Sequence, residues 1–249
     1  MAGYRFQTST NGGTTWSASS AGQSLTVSSE GQTVVRFQTF DGASPAFSSA
    51  WVQATVRIDR TLPTLPTVAG GSTSWQLGPV TITASGGSDS GGSLLAGRQY
   101  RTSTNGGSTW SSPVAGSSVT FSTDGNYLVQ FRSVDGAGNT SAGWTANAAA
   151  KVDHTAPTLP TVSGGSLNCT RKVTIRASGS TDAGSGLSGY QYHVSSNNGV
   201  AWGATQTGSS VRLQTTGTYV VQFRSRDNLG TTSAWAPAAN GPANTACIR

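Results

Sequence analysis

Thr10-Asn11-Gly12-Gly13-Thr14-Thr15-Trp16 returns as Thr104-Asn105-Gly106-Gly107-Ser108-Thr109-Trp110, and more loosely as Ser196-Asn197-Asn198-Gly199-Val200-Ala201-Trp202. The three tryptophans stand 94 and 92 residues apart, near the ~100 residues of one seven-stranded β-sandwich. Other landmarks keep step: Phe37, Phe131 and Phe223; Asp41, Asp135 and Asp227; Trp51, Trp144 and Trp235. Asn and Gly tolerate positive φ, so the segment before each Trp reads as a hairpin turn joining two antiparallel strands.

The strongest strand carries Tyr127, Val129, Phe131 and Ser133 on one face, with Leu128, Gln130, Arg132 and Val134 on the other. Its third-repeat partner sets Tyr219, Val221, Phe223 and Ser225 against Val220, Gln222, Arg224 and Arg226. Period-two alternation with Phe inward and Arg outward is what a sheet with one buried face requires. An earlier strand points Val80, Ile82 and Ala84 inward, matched by Val173, Ile175 and Ala177. Asp124-Gly125-Asn126-Tyr127 and Thr216-Gly217-Thr218-Tyr219 place a Tyr two residues after Gly, the pattern of a tyrosine corner. Glu30-Gly31-Gln32-Thr33 lacks the Tyr, so its corner is expected to be weaker.

Two Pro-spaced links, Asp59-Arg60-Thr61-Leu62-Pro63-Thr64-Leu65-Pro66 and Asp153-His154-Thr155-Ala156-Pro157-Thr158-Leu159-Pro160, divide the chain. Prolines three apart favour an extended connection with little slack, and hence an extended rod of modules. The division predicts a partial repeat over 1–62, a full one over 63–156 and another over 157–249. The first repeat opens at Tyr4 already in the aromatic strand, so it is read as incomplete, with two strands missing. A chain cut from a longer array explains this more simply than β-augmentation by a partner strand.

With 249 residues, 10% charged, and abundant Gly, Ser and Thr, the chain is expected to be all-β. Regularly placed Trp, Phe, Tyr and Val supply the buried anchors that disorder lacks. The net charge of +6 is carried by scattered Arg rather than a basic run. That speaks for compositional preference over attraction to anionic glycans or nucleic acid. No apolar run approaches the ~20 residues of a membrane span. Met1-Ala2-Gly3 shows no signal-peptide pattern, so export has to come from a leader upstream or from release with a virion.

Taken together, the aromatic strand, Asn-Gly-Gly turn and Trp, then Gln130-Phe131-Arg132-Ser133-Val134-Asp135-Gly136-Ala137-Gly138-Asn139 and Val152-Asp153-His154-Thr155-Ala156-Pro157, resemble bacterial immunoglobulin-like repeats. The third copy departs at Asn228-Leu229-Gly230 and the first at Ala43-Ser44-Pro45. The resemblance implies tandem Greek-key sandwiches in a large secreted or cell-surface protein. It also implies a spacer, an adhesive stalk or an enzyme appendage, and fold alone does not choose among these. A glycan-binding module, a secreted enzyme's accessory domain and a virion decoration or tail protein are the alternatives. The expected partners are a surface glycan or further repeats of the same array, with no specific nucleic acid and no membrane insertion. The turn segment is also similar to the Asp box of sialidase-type propellers, but a period of 92 to 94 is twice a blade.

Cys169 and Cys247 sit at the two borders of one repeat and read as a disulfide, with free buried thiols or a metal pair as alternatives. Trp75 is the leading ligand-binding candidate, because the third repeat aligns Asn168 with it and a shared core Trp would recur. Arg36, Arg132 and Arg224 are expected at equivalent outward positions, forming a basic stripe or simply a solvated face. His154 and His193 are expected to be exposed bystanders. Asp41, Asp135 and Asp227, with Asp89 and Asp182, read first as turn caps. The sharper reading is calcium at the repeat ends, joined by Asp59 and Asp153, and no other cofactor is expected. One Glu, two unrelated His and turn-bound aspartates give no convergent acid, base or nucleophile, so no catalytic residue is expected.

Overall fold

The computed structural model describes residues 2–44 and 46–249, and these contain strands and turns without a helix. Pro45, within the segment where the first repeat departs from the others, lies outside the described residues, as does Met1. In the first repeat β1 (Gly3–Ser9), β2 (Ser20–Ala21), β3 (Gly31–Phe40) and β4 (Val52–Ile58) form one antiparallel sheet in the order β2-β1-β3-β4.

The second repeat contains β5 (Thr67–Gly70), β6 (Val80–Ser85), β7 (Leu95–Ser103), β8 (Val114–Ala115), β9 (Ser118–Phe121), β10 (Gly125–Asp135) and β11 (Ala148–Val152). They form two sheets, β5-β6-β9 and β11-β10-β7-β8. The third repeat contains β12 (Thr161–Ser163), β13 (Ser166–Thr170), β14 (Val173–Ser178), β15 (Leu187–Ser195), β16 (Gln206–Thr207), β17 (Ser210–Leu213), β18 (Gly217–Asp227) and β19 (Thr245–Ile248). Its sheets run β12-β14-β17 and β13-β19-β18-β15-β16. The chain changes layer after β6, β8 and β9, which is the Greek-key crossover of an immunoglobulin-like sandwich.

Alternation decides what each layer buries. Burial in β6 and β14 switches residue by residue, with Ile82 and Ile175 fully enclosed. Val80, Ile82, Ala84, Val129, Phe131, Ala150 and Val152 make one core, and Val173, Ile175, Ala177, Val221, Phe223, Ala246 and Ile248 the other. Phe131 and Phe223 are 0% exposed, and enclosing an aromatic of that size contributes about 1.5–3 kcal/mol. Each leans on a cross-strand ring, Tyr100 at 5.8 Å and Tyr192 at 5.6 Å.

The first repeat holds only the counterpart of the β11-β10-β7-β8 sheet. Among the described residues it has no counterpart of β5, β6 or β9. Ser24–Val27, aligned with β9, forms no strand because nothing stands in the place of β6. Among its described apolar residues only Val34 and Val35 are buried, while Val52 is 73% exposed.

The Tyr127 hydroxyl donates to the Asp124 carbonyl (3.2 Å) and lies 3.0 Å from the Thr123 hydroxyl, closing the expected corner. A Cβ on Gly125 would come within 2.6 Å of the Tyr127 ring, so only glycine fits there. The links are laid onto the repeat that follows them. Thr64 N donates to Ser88 O (2.8 Å) and Ser88 N to the Thr64 hydroxyl (2.8 Å). Thr158 and Thr181 repeat the exchange at 2.9 and 2.8 Å. Pro63, Pro66, Pro157 and Pro160 are all buried.

Candidate functional site

Each Asn-Gly turn is locked by one buried serine, and its purpose is to deliver a tryptophan. Ser9 Oγ donates to Asn11 Oδ1 (2.9 Å) and accepts from Gly13 N (2.9 Å), while Thr15 N donates to Asn11 Oδ1 (2.9 Å). Ser103 with Asn105 and Ser195 with Asn197 repeat the arrangement. Gly12 and Gly13 take φ of 71° and 93°, which an L side chain would resist. The chain then returns along the sheet and lays its Trp on the outer face.

There a guanidinium or imidazole ring lies between two indoles in each repeat. The Arg36 guanidinium is 3.8 Å from the Trp16 ring and 4.5 Å from Trp51. Arg101 sits 4.7 Å from Trp110 and 4.5 Å from Trp144, and Arg132 continues the stack 4.6 Å from Trp144. In the third repeat the His193 ring stacks at 4.0 Å on Trp202 and 3.8 Å on Trp235, with Arg224 4.6 Å from Trp235. A cross-strand glutamine accepts from each guanidinium: Gln7 from Arg36 (2.6 Å), Gln130 from Arg101 (2.7 Å), Gln99 from Arg132 (2.8 Å) and Gln191 from Arg224 (2.8 Å). Each stacked cation contributes roughly 0.5–1 kcal/mol.

The expected equivalence of Arg36 with Arg132 and Arg224 is corrected by the strand register. Arg36 pairs with Gln7, and the same two positions hold Gln130 and Arg101 in the second repeat. The cation has changed strands while keeping its slot. Arg132 and Arg224 do match each other, opposite Gln99 and Gln191. His193 is likewise no bystander, being 8% exposed. Burial, the adjacent Arg224 charge opposing protonation as well, pushes its pKa below the usual histidine value, against the hydrogen bond that Gln222 Oε1 accepts from the ring.

Trp75 also finds a structural explanation. The parallel bridge Gln76↔Val152 corresponds to Thr170↔Ile248, so Trp75 aligns with Cys169, not Asn168, and Lys151 with Cys247. Cys169 and Cys247 are joined in a disulfide with Cα atoms 4.4 Å apart. Where the third repeat has that bridge, the second sets Lys151 Nζ 5.8 Å from the Trp75 ring. Trp75 fails to recur because its counterpart is a cysteine.

No family model matches the chain, and no curated protein matches it in sequence. A similar solved structure, the crystal structure of the chicken CNTN1 FN1-FN3 domains, covers 93% of this chain and 89% of its own. Its identity is 15% and its TM-score 0.29. A likeness that loose carries no functional weight, and the fold rests on the strand order above.

His154 corrects a further expectation, since its Nδ1 lies 2.8 Å from Asp124 Oδ1 and its backbone N donates to the same oxygen at 2.8 Å. The Thr155 hydroxyl donates to the other carboxylate oxygen. Hydrogen bonds from Thr155 and then His154 hold the Asp124 carboxyl below its usual pKa. Glu30 and Thr61 make the matching contact at the first link. The pair fastens the link to the turn before β10.

The remaining aspartates cap turns. Asp41 Oδ1 accepts from Ala43 N and Phe47 N, Asp135 Oδ1 from Ala137 N and Asn139 N, and Asp227 Oδ1 from Leu229 N and Thr231 N, all at 2.7–3.1 Å. They also converge at the repeat ends. Asp59, Asp89 and Asp135 bring one carboxylate oxygen each within 4.8 Å of the others, and Asp153, Asp182 and Asp227 do the same.

Proposed function

We propose that this chain is a length of a non-catalytic spacer or adhesive stalk, built from immunoglobulin-like modules of the kind found in bacterial surface arrays. The observation that carries the reading is the state of the links. A flexible tether leaves its backbone to water, whereas these links have buried prolines and donate and accept across Thr64–Ser88 and Thr158–Thr181. A link packed against the module it enters transmits direction, and that is what a spacer needs. The side chains that would serve chemistry are already engaged: guanidiniums in indole stacks, carboxylates in turns, His154 on Asp124. A disulfide persists in oxidising surroundings, which supports placement outside the cytoplasm. Distance distributions between spin labels on the second and third repeats test the reading, narrow for a stitched link and broad for a hinge.

A further inference from the structure

Tension along the chain enters each complete repeat through its link and leaves by its last strand, so the contact between first and last segments decides how the module bears load. In the third repeat β13 runs parallel to β19, with Ser166 opposite Ala246 and Thr170 opposite Ile248. Gly165 N donates to Ala243 O and Arg249 N to Thr170 O, both at 3.0 Å, at the two ends of this pair. Parallel neighbours pulled from the start of one and the end of the other slide lengthwise, so their hydrogen bonds are loaded together. The Cys169–Cys247 bridge crosses the same pair.

A covalent bond at that place redirects the force. Coming from Pro160, it runs through β12 and β13 to Cys169, crosses the two sulfurs to Cys247 and leaves through Ile248. Residues 170–246 lie outside the loaded path, and they contain β14 to β18 and the core positions Val173, Ile175, Ala177, Val221, Phe223 and Ala246. Before the bridge only residues 161–168 can be drawn out, about 3 nm of chain. The second repeat has the same arrangement without the bond. Gln76 lies parallel to Val152, and Ser72 N, Gln76 N and Asp153 N donate to Ala149 O, Lys151 O and Gln76 O at 2.8–3.0 Å. Trp75 and Lys151 hold the places of the two cysteines, 76 residues apart. Once these contacts part, the chain between them unravels and releases about 26 nm.

We propose that the Cys169–Cys247 bridge is a redox-gated mechanical lock. Oxidised, it makes the third repeat inextensible under tension and leaves the second as the yielding element; reduced, it frees the third repeat to unfold like the second. Cys169 is exposed, so a dithiol reaches the bridge. One thiolate of the dithiol attacks a bridge sulfur and the sulfur–sulfur bond breaks, leaving a mixed disulfide. The second thiolate displaces the cysteine from it, so the dithiol ends as a disulfide and its two protons pass to the cysteine thiolates. The force path follows from connectivity alone, while its use to the protein rests on the spacer reading, since only a loaded chain needs it.

Single-molecule force spectroscopy on the full chain, held by tags at its two ends, tests this. Without reductant the traces should show one step of about 26 nm, from the second repeat. The first repeat adds a shorter step in either state, because its strands span only residues 3–58. Dithiothreitol added to the same folded molecules should raise the count of 26 nm steps from one to two, the third repeat now releasing its 78-residue separation. Reducing the folded chain in place avoids a cysteine variant that misfolds. Trp75→Cys with Lys151→Cys should carry the lock into the second repeat and remove its step until reductant is added. Two such steps in the oxidised chain, with no thiol open to maleimide, would overturn the lock. So would a single step after reduction in a sample whose thiols do react, or a bridged Trp75→Cys, Lys151→Cys pair whose step persists. None of these failures would alter spin-label distances across the link, so the lock and the spacer reading fall separately.

Discussion

Removing the bridge between Cys169 and Cys247 should cripple one module and spare its neighbour. The bridge closes a 78-residue separation, and the chain-entropy model converts a loop of that size into about 4.5 kcal/mol at 25 °C. In a module of this size that corresponds to a midpoint lowered by about 20 °C or more. The bridge fastens β13 to β19, and β19 pairs with β18, whose Phe223 anchors the third core. Its loss therefore acts on residues packed around Val221 and Ile175. Hydrogen exchange by mass spectrometry on a Cys169→Ser, Cys247→Ser double variant resolves the two modules. Protection should collapse in β14 and β18 and hold in β6 and β10. Equal loss in both modules would refute their independence. A change below about 1 kcal/mol in β18 would refute the bridge as the dominant constraint, since the entropic term alone exceeds it several-fold.

His193 gives the third repeat a pH dependence. Burial lowers its pKa, so the neutral ring is the folded form, and its contribution is present above the ordinary value of 6.5 and lost as pH falls through the lower folded value. Denaturant midpoints at pH 7.5 and 5 should show the third repeat weakening on acidification, with His193→Gln flattening the trend. A rise in stability at pH 5 would mean that the flanking indoles favour the imidazolium more than burial opposes it. In the cores, Phe131→Ala should cost roughly 3–5 kcal/mol. Phe37→Ala should cost well under that, because its sheet has no second layer over it. Exchange around Val35 as slow as that around Val129 in a monomeric sample would contradict the difference.

Local signals survived the passage from sequence to structure. The inward Val, Ile and Phe positions, the Asn-Gly turns, the corner at Tyr127 and the disulfide all follow from period, spacing or a single residue type, whereas the serine that locks each turn showed only in the structure. What failed depended on register between distant strands. Arg36 looked equivalent to Arg132 because both flank the same Phe, yet one precedes it and the other follows, and the faces agree only across the strand pair. Trp75 was set against Asn168 because a register shift between Ser166 and Thr170 hides its true partner, Cys169. His193 was taken as exposed because the two indoles that cover it arrive from separate loops. The grouping of aspartates at the repeat ends was legible, but which three meet was not, because each triad draws on three separate segments of chain.

The central claim is that a link is part of the module it enters, and a distance distribution between spin labels tests it most directly. Ser118 in β9 and Ser210 in β17 are exposed and occupy matching positions on the second and third repeats. With both replaced by labelled cysteine and the native bridge intact, double electron–electron resonance reads the span across the eight-residue link 153–160. A free flexible link of eight residues would have an end-to-end spread of about 16 Å. The stitched link predicts a single peak a few times narrower than this. A distribution as broad as the free link allows would show that the Thr158–Thr181 contacts do not hold the joint, and the spacer account would fall.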